Sequence, residues 1–148
     1  MDELDLDIRN HLYASFVRDG SAQTPAEAAA ALGLDPAEVE AAFARLHDAH
    51  ALVLEPESTR IRMLNPFSAV PTPHRVEAGG RTWFANCAWD SLGIPAALHE
   101  NGTIDSECPD CGAPIRLEVR DGELVEGRDL LVHFVVPARR WWEDIAFT

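Results

Sequence analysis

Ten residues, Asn65 to His74, hold three prolines and no hydrophobic period. Proline removes a backbone donor and pushes the residue before it towards extended conformations, so this stretch resists both helix and ladder. It separates a half with helical rhythm from a half with strand rhythm. We read residues 65–78 as a Pro-rich linker, with domains expected at 1–64 and 79–148.

In the first half, Leu4, Ile8, Leu12 and Phe16 recur at helical spacing and predict a helix over 4–17, ended by Asp19-Gly20. Thr24-Pro25-Ala26-Glu27 is a helix start with Thr24 as N-cap and Glu27 completing a capping box. That helix is expected to reach about Leu32, with Gly33 as its stop. Asp35-Pro36-Ala37-Glu38 repeats the signal and predicts a third helix to about His47, with Val39, Phe43 and Leu46 inward. Leu52 to Leu54 and Arg60 to Met63 read as a hairpin. Three helices and a hairpin make a winged helix-turn-helix-like unit.

Such a unit suggests DNA, but its charge argues otherwise. Residues 1–78 carry 13 acidic and 6 basic side chains. Asp35, Glu38, Glu40 and Asp48 on or beside the third helix face a single Arg45. A helix that reads a groove needs the opposite sign, so a structural or partner-binding role is expected. The whole chain has a net charge of −13, with all 12 basic residues Arg. Nucleic acid and anionic membrane are therefore not expected partners. No apolar run approaches the ~20 residues of a membrane span, and MDELDLDIRN lacks the pattern of a secretory leader. A cytoplasmic location follows as the expectation, with three reduced cysteines available for metal or catalysis.

In the second half, Arg81 to Phe84 predicts a strand and Cys87 to Leu98 a helix. Strands are expected at Thr103 to Glu107, Ile115 to Val119 and Leu124-Val125, the last two joined at Asp121-Gly122. Leu130 to Val136 is apolar except for His133 and predicts a buried strand, with His133 a satisfied core residue. Arg139 to Phe147 predicts a short helix or turn. The chain is thus expected to be α+β, a winged-helix-like unit followed by a mixed or antiparallel sheet with a central helix.

Cys87 falls at the entrance of that helix, where unpaired N–H groups and the helix dipole favour an anion and lower a thiol below its usual ~8.5. Asp90 lies three residues on, on the same helix face. A thiolate beside a carboxyl group is a nucleophile and a proton donor. The spacing equally admits a small buried residue and a first-turn charge serving the dipole.

Cys108-Pro109-Asp110-Cys111-Gly112 has the shape of a metal knuckle, two sulfurs on a tight turn. A closed zinc site needs four ligands and would have to recruit Cys87, His133, His99 or Asp90. The alternative is a hairpin turn with two free thiols.

These residues resemble the organomercurial (alkylmercury) lyases. TWFANCAWDSLGIPAAL, ECPDCGAPIRLEV, NPFSAVPTPHRV and VHFVVP carry the likeness, most specifically in Cys-Ala-x-Asp and Cys-Pro-x-x-Gly-Ala-Pro. The resemblance implies an alkylmercury lyase-like core and protonolysis of a carbon–mercury bond. Cys87 would be the first mercury-binding cysteine, Asp90 the catalytic aspartate, and Cys108 a further cysteine of structural role; Cys111 is an addition to the family's best-known form. Cys87, Cys108 and Cys111 are the expected metal-binding set. No cofactor is implied; mercury(II) would be the bound product, with organomercurial small molecules and cellular thiols as partners and a mercuric reductase downstream. The alternative is a non-catalytic thiolate module of the same fold holding zinc, copper or mercury.

The family's second metal-binding cysteine would fall at Ala146-Phe147-Thr148 or on the next residue, and its final strand and helix are not in this sequence. Three expectations account for this: a piece of a longer chain, a short natural relative, or a frame ended at a codon read as selenocysteine.

Overall fold

The computed structural model describes residues 1–146, which form two compact units, one of residues 1–70 and one from residue 71 onward. In the first, three helices, α1 (Glu3–Asp19), α2 (Pro25–Leu32) and α3 (Pro36–Asp48), precede three short strands, β1 (Val53–Leu54), β2 (Ile61–Leu64) and β3 (Phe67–Ser68). The ends are fixed as the sequence signals require. Thr24 and Glu27 close a reciprocal capping box, the Asp35 carboxylate accepts the N–H groups of Ala37 and Glu38, and Gly20 and Gly33 adopt the left-handed conformation that ends α1 and α2. Ile8, Leu12, Phe43, Leu46, Leu52 and Leu64 are fully buried and form the core. β1 and β2 make the expected hairpin, and β3 adds antiparallel to β2.

The Asp5 carboxyl is buried under α3 and accepts from Arg45 Nε at 3.0 Å and Nη2 at 2.7 Å. The Arg45 hydrogen bond, above all, holds Asp5 below the usual carboxylate value. The one cation of α3 is therefore committed to α1. Glu38, Glu40 and Asp48 remain on the exposed side of α3.

The second unit is an antiparallel sheet under one helix. β4 (Arg75–Ala78) and β5 (Arg81–Ala85) form a hairpin over Gly79-Gly80, both at positive φ. α4 (Ala88–Leu98) follows, then β6 (Gly102–Glu107), β7 (Pro114–Arg120) and β8 (Glu123–Glu126). The order across the sheet is β5-β4-β6-β7-β8, and each neighbouring pair is antiparallel. α4 packs on β4, β5 and β6.

Three sequence expectations are corrected. Residues 65–78 are not all linker: β3 and β4 lie within them, and β4 sits between β5 and β6. The prolines stop at Pro73, and the four residues of β4 alternate, with Val76 and Ala78 buried and Arg75 and Glu77 exposed. Val76 pairs with both Trp83 and Ile104, and the Trp83 indole N–H donates to the Ala78 carbonyl at 3.2 Å. Leu130 to Val136 is not a strand and is not buried; Leu131 is 94% exposed and Val135 72%. Apolarity leads to burial only where a partner face exists, and among the described residues nothing adds to the outer side of β8. His133 is exposed with the run rather than a core residue. Ala138–Glu143 is a 3₁₀ helix, with the Trp141 indole N–H on the Val136 carbonyl at 3.0 Å and its ring 4.8 Å from that of Phe134. No helix among the described residues is long and apolar enough to cross a membrane.

α4 lies close on the sheet because β6 opens with glycine. A Cβ on Gly102 would stand 2.9 Å from Pro95 Cγ and 3.1 Å from the Glu77 carbonyl oxygen. Gly102→Ala is expected to lower stability by ~1–3 kcal/mol in urea unfolding through overpacking alone. Asp5→Asn keeps shape and removes charge. Because the folded carboxyl titrates below its usual 3.8, its contribution is present above that pH and lost as pH falls through the lower folded value. The variant is expected to be less stable than the parent at neutral pH and to lose that deficit in strong acid.

Candidate active site

β5 ends at Ala85, Asn86 follows, and Cys87 is the N-cap of α4 with extended φ and ψ of −147° and 179°. Its sulfur takes the place of the usual capping oxygen and accepts the Asp90 backbone N–H at 3.5 Å. The Cys87 thiol in turn donates to Asp90 Oδ2 at 3.4 Å. The N-cap position and the three-residue spacing thus make a closed ring of thiol, carboxyl and backbone. Ser91, buried in the next position, bonds the Ala88 carbonyl at 2.6 Å, and Ile94 and Pro95 seat the helix in the core.

The electrostatics differ from the sequence expectation. Burial, the largest cause, pushes the Cys87 thiol above its ordinary value of 9.0; the Asp90 N–H pulls it back, and the Asp90 charge pushes it up again. The expected lowering at a helix entrance is overruled because the N–H groups of Asp90 and Trp89 do not replace the lost water. Burial also raises Asp90 above the usual 3.8, offset in part by hydrogen bonds from Cys87 and from the Asn86 side chain. Burial thus opposes charge on both groups, and the pair holds a proton more tightly than it would in water. Asn86 was not singled out from sequence; its place beside an N-cap cysteine was the only signal.

Cys108 and Cys111 sit on the β6–β7 turn. The turn is closed by the Cys108 N–H on the Ala113 carbonyl and the Gly112 N–H on the Cys108 carbonyl, both 2.8 Å. Cys108 is partly exposed and Cys111 exposed. The Cys111 backbone N–H, then that of Asp110, then the Cys111 thiol bond the Cys108 sulfur and hold it below its ordinary value. The structure therefore pairs Cys87 with Asp90 and Cys108 with Cys111. It does not gather the larger set: among the described residues no group of three or more His, Cys, Asp or Glu is placed to hold a metal ion. His99 caps the far end of α4, ~18 Å along the helix from Cys87 at ~1.5 Å per residue. Of the place expected for a second metal-binding cysteine, Phe147 and Thr148 lie outside the described residues. An open groove of about 650 Å³ beside Arg81, Thr103 and Arg120, and another of about 480 Å³ beside Pro95, His99 and Leu124, border neither cysteine pair.

Comparison with known proteins gives this geometry a context. The alkylmercury lyase family model matches residues 67–148. An alkylmercury lyase of Bacillus cereus is 37% identical over 70 residues, covering 46% of this chain and 32% of the relative. That of Staphylococcus epidermidis is 39% identical over 70 residues with the same coverage, and that of Streptomyces lividans 36% over 69, covering 45% and 32%. The chain thus spans about a third of the length of the curated relatives it matches. The crystal structure of the mercury-bound form of MerB2 superposes with a TM-score of 0.70 at 29% identity, covering 85% of this chain and 60% of that one. By the match over residues 67–148, more than half of its length, the chain belongs to the alkylmercury lyase family.

Proposed function

We propose that the second unit carries the thiol and acid of a carbon–mercury protonolysis, with Cys87 as the mercury ligand and Asp90 as the proton donor. The observation that supports this reading is the 3.4 Å contact between a half-buried thiol and a half-buried carboxyl group at one helix entrance. Mercury(II) is soft and prefers thiolate sulfur to oxygen or nitrogen. When the Cys87 sulfur displaces the anionic ligand of an organomercurial, that ligand leaves as its anion and the thiol proton passes to the Asp90 carboxylate, which the thiol already faces. Burial favours the neutral acid there, so the proton is retained next to the carbon. A second thiolate, from a cellular thiol, adds electron density to mercury and weakens its bond to carbon. Asp90 then delivers the proton to that carbon as the bond breaks, so no free carbanion forms. Hydrocarbon leaves, Asp90 is left as carboxylate, and mercury(II) stays on two sulfurs until other thiols remove it. The reading places the protein in a reducing, cytoplasmic setting where its thiols are not oxidised.

Hydrocarbon release from a simple organomercurial in excess thiol tests the assignment. Cys87→Ser is expected to abolish release and mercury retention at this site. Asp90→Asn is expected to leave organomercurial binding in place and to slow release by ~10²–10⁴-fold. Unchanged release by Asp90→Asn would exclude Asp90 as donor.

The raised carboxyl also has a signature in stability. A folded value above 3.8 means that the native state keeps a proton the unfolded chain has lost, so stability falls as pH rises from 3.8 through the folded value. Asp90→Asn has no such loss. Urea unfolding is expected to show the variant gaining on the parent between pH below 3.8 and neutral pH; a constant difference would sink the raised value.

A further inference from the structure

The cysteine pair on the β6–β7 turn has no part in the protonolysis above, yet it is built more firmly than a surface turn requires. Two 2.8 Å backbone bonds clamp the loop between Cys108 and Ala113. Gly112 takes φ +69°, with nothing within 4 Å of where a Cβ would lie, so its role there is conformational. The three-residue spacing puts both thiols on this one clamped turn, and neighbouring backbone N–H groups and the Cys111 thiol hold Cys108 below its ordinary value. Cys111 is exposed and Cys108 partly so. The ladder from Gly102↔Val119 to Glu107↔Pro114 anchors the turn on six consecutive pairs.

We propose that Cys108 and Cys111 form a second, separate two-sulfur site that takes a thiophilic d¹⁰ cation such as mercury(II) by exchange with small thiols. With no third His, Cys, Asp or Glu placed to join them among the described residues, the pair suits an ion content with two sulfurs, not zinc, which takes four ligands. The exchange is balanced. Two bonds from sulfur to mercury form on the protein and two bonds to the small thiolates break. The protons of Cys108 and Cys111 pass to the departing thiolates. Nothing is oxidised. The first bond makes the second intramolecular, so the turn holds the ion against monothiols that compete one at a time. The proposal does not depend on Cys87 or Asp90 being catalytic.

The test uses the full chain carrying Cys87→Ser, reduced beforehand, given mercury(II) chloride in excess glutathione at neutral pH and then desalted. Metal analysis, native mass spectrometry and ultraviolet sulfur-to-mercury charge transfer are read together. The expected result is about one mercury kept per chain, falling at least ~10-fold when Cys111→Ser is added, as a chelate reduced to one sulfur should. Cys111 is exposed, so this substitution leaves the core untouched, which circular dichroism checks. Cys111→Ala in the same background should give the same loss. No mercury retained by Cys87→Ser alone, or retention unaffected by either change at Cys111, overturns the proposal. Neither readout involves hydrocarbon, so its failure is distinct from failure of the lyase reading.

Discussion

A half-buried contact between a thiol and a carboxyl group is the constraint on which the second unit turns. Cys87 and Asp90 are 3.4 Å apart, and burial opposes charge on both. The sheet and α4 withhold part of the water that would favour a charged carboxylate or thiolate, so both groups give up a proton less readily than in solution. The arrangement depends on backbone as much as on side chains, since the Asp90 N–H that caps the helix also fixes the sulfur. Pro95 against Gly102 then sets how closely the helix sits over β6.

The first unit shows charge used in the opposite way. Asp5 keeps its charge while buried because Arg45 supplies hydrogen bonds in place of water. That pairing also takes from α3 the one cation a groove-reading helix would need. What remains exposed on α3 is acidic, which suits a unit that serves packing or a protein partner better than a nucleic acid.

Much of this was legible in the residues, for identifiable reasons. α2 and α3 follow from Thr24-Pro25 and Asp35-Pro36, whose caps are local and need no tertiary knowledge. β6, β7 and β8 follow from strand-forming runs and the Asp121-Gly122 turn. β4 was hidden because it follows Pro71 and Pro73 closely and its four residues are too few to show a period. The alignment of Cys87 with Asp90 was visible in spacing, but the direction of the thiol shift was not. Spacing reveals the helix entrance and its dipole; the burial that outweighs them is set by elements distant in sequence. Leu130 to Val136 failed for the converse reason, since its composition suits an interior and says nothing about whether a neighbouring strand is present.

That last stretch has a consequence for handling the protein. Leu130 to Val136 runs outside any ladder, with apolar side chains in solvent and its main chain open to an approaching cleft. A protease that accepts Leu or Phe needs about this length of extended backbone, and the segment offers it without prior unfolding. Limited digestion should therefore nick the chain here first. The fragment released N-terminal to the nick retains α4 and every strand of the sheet.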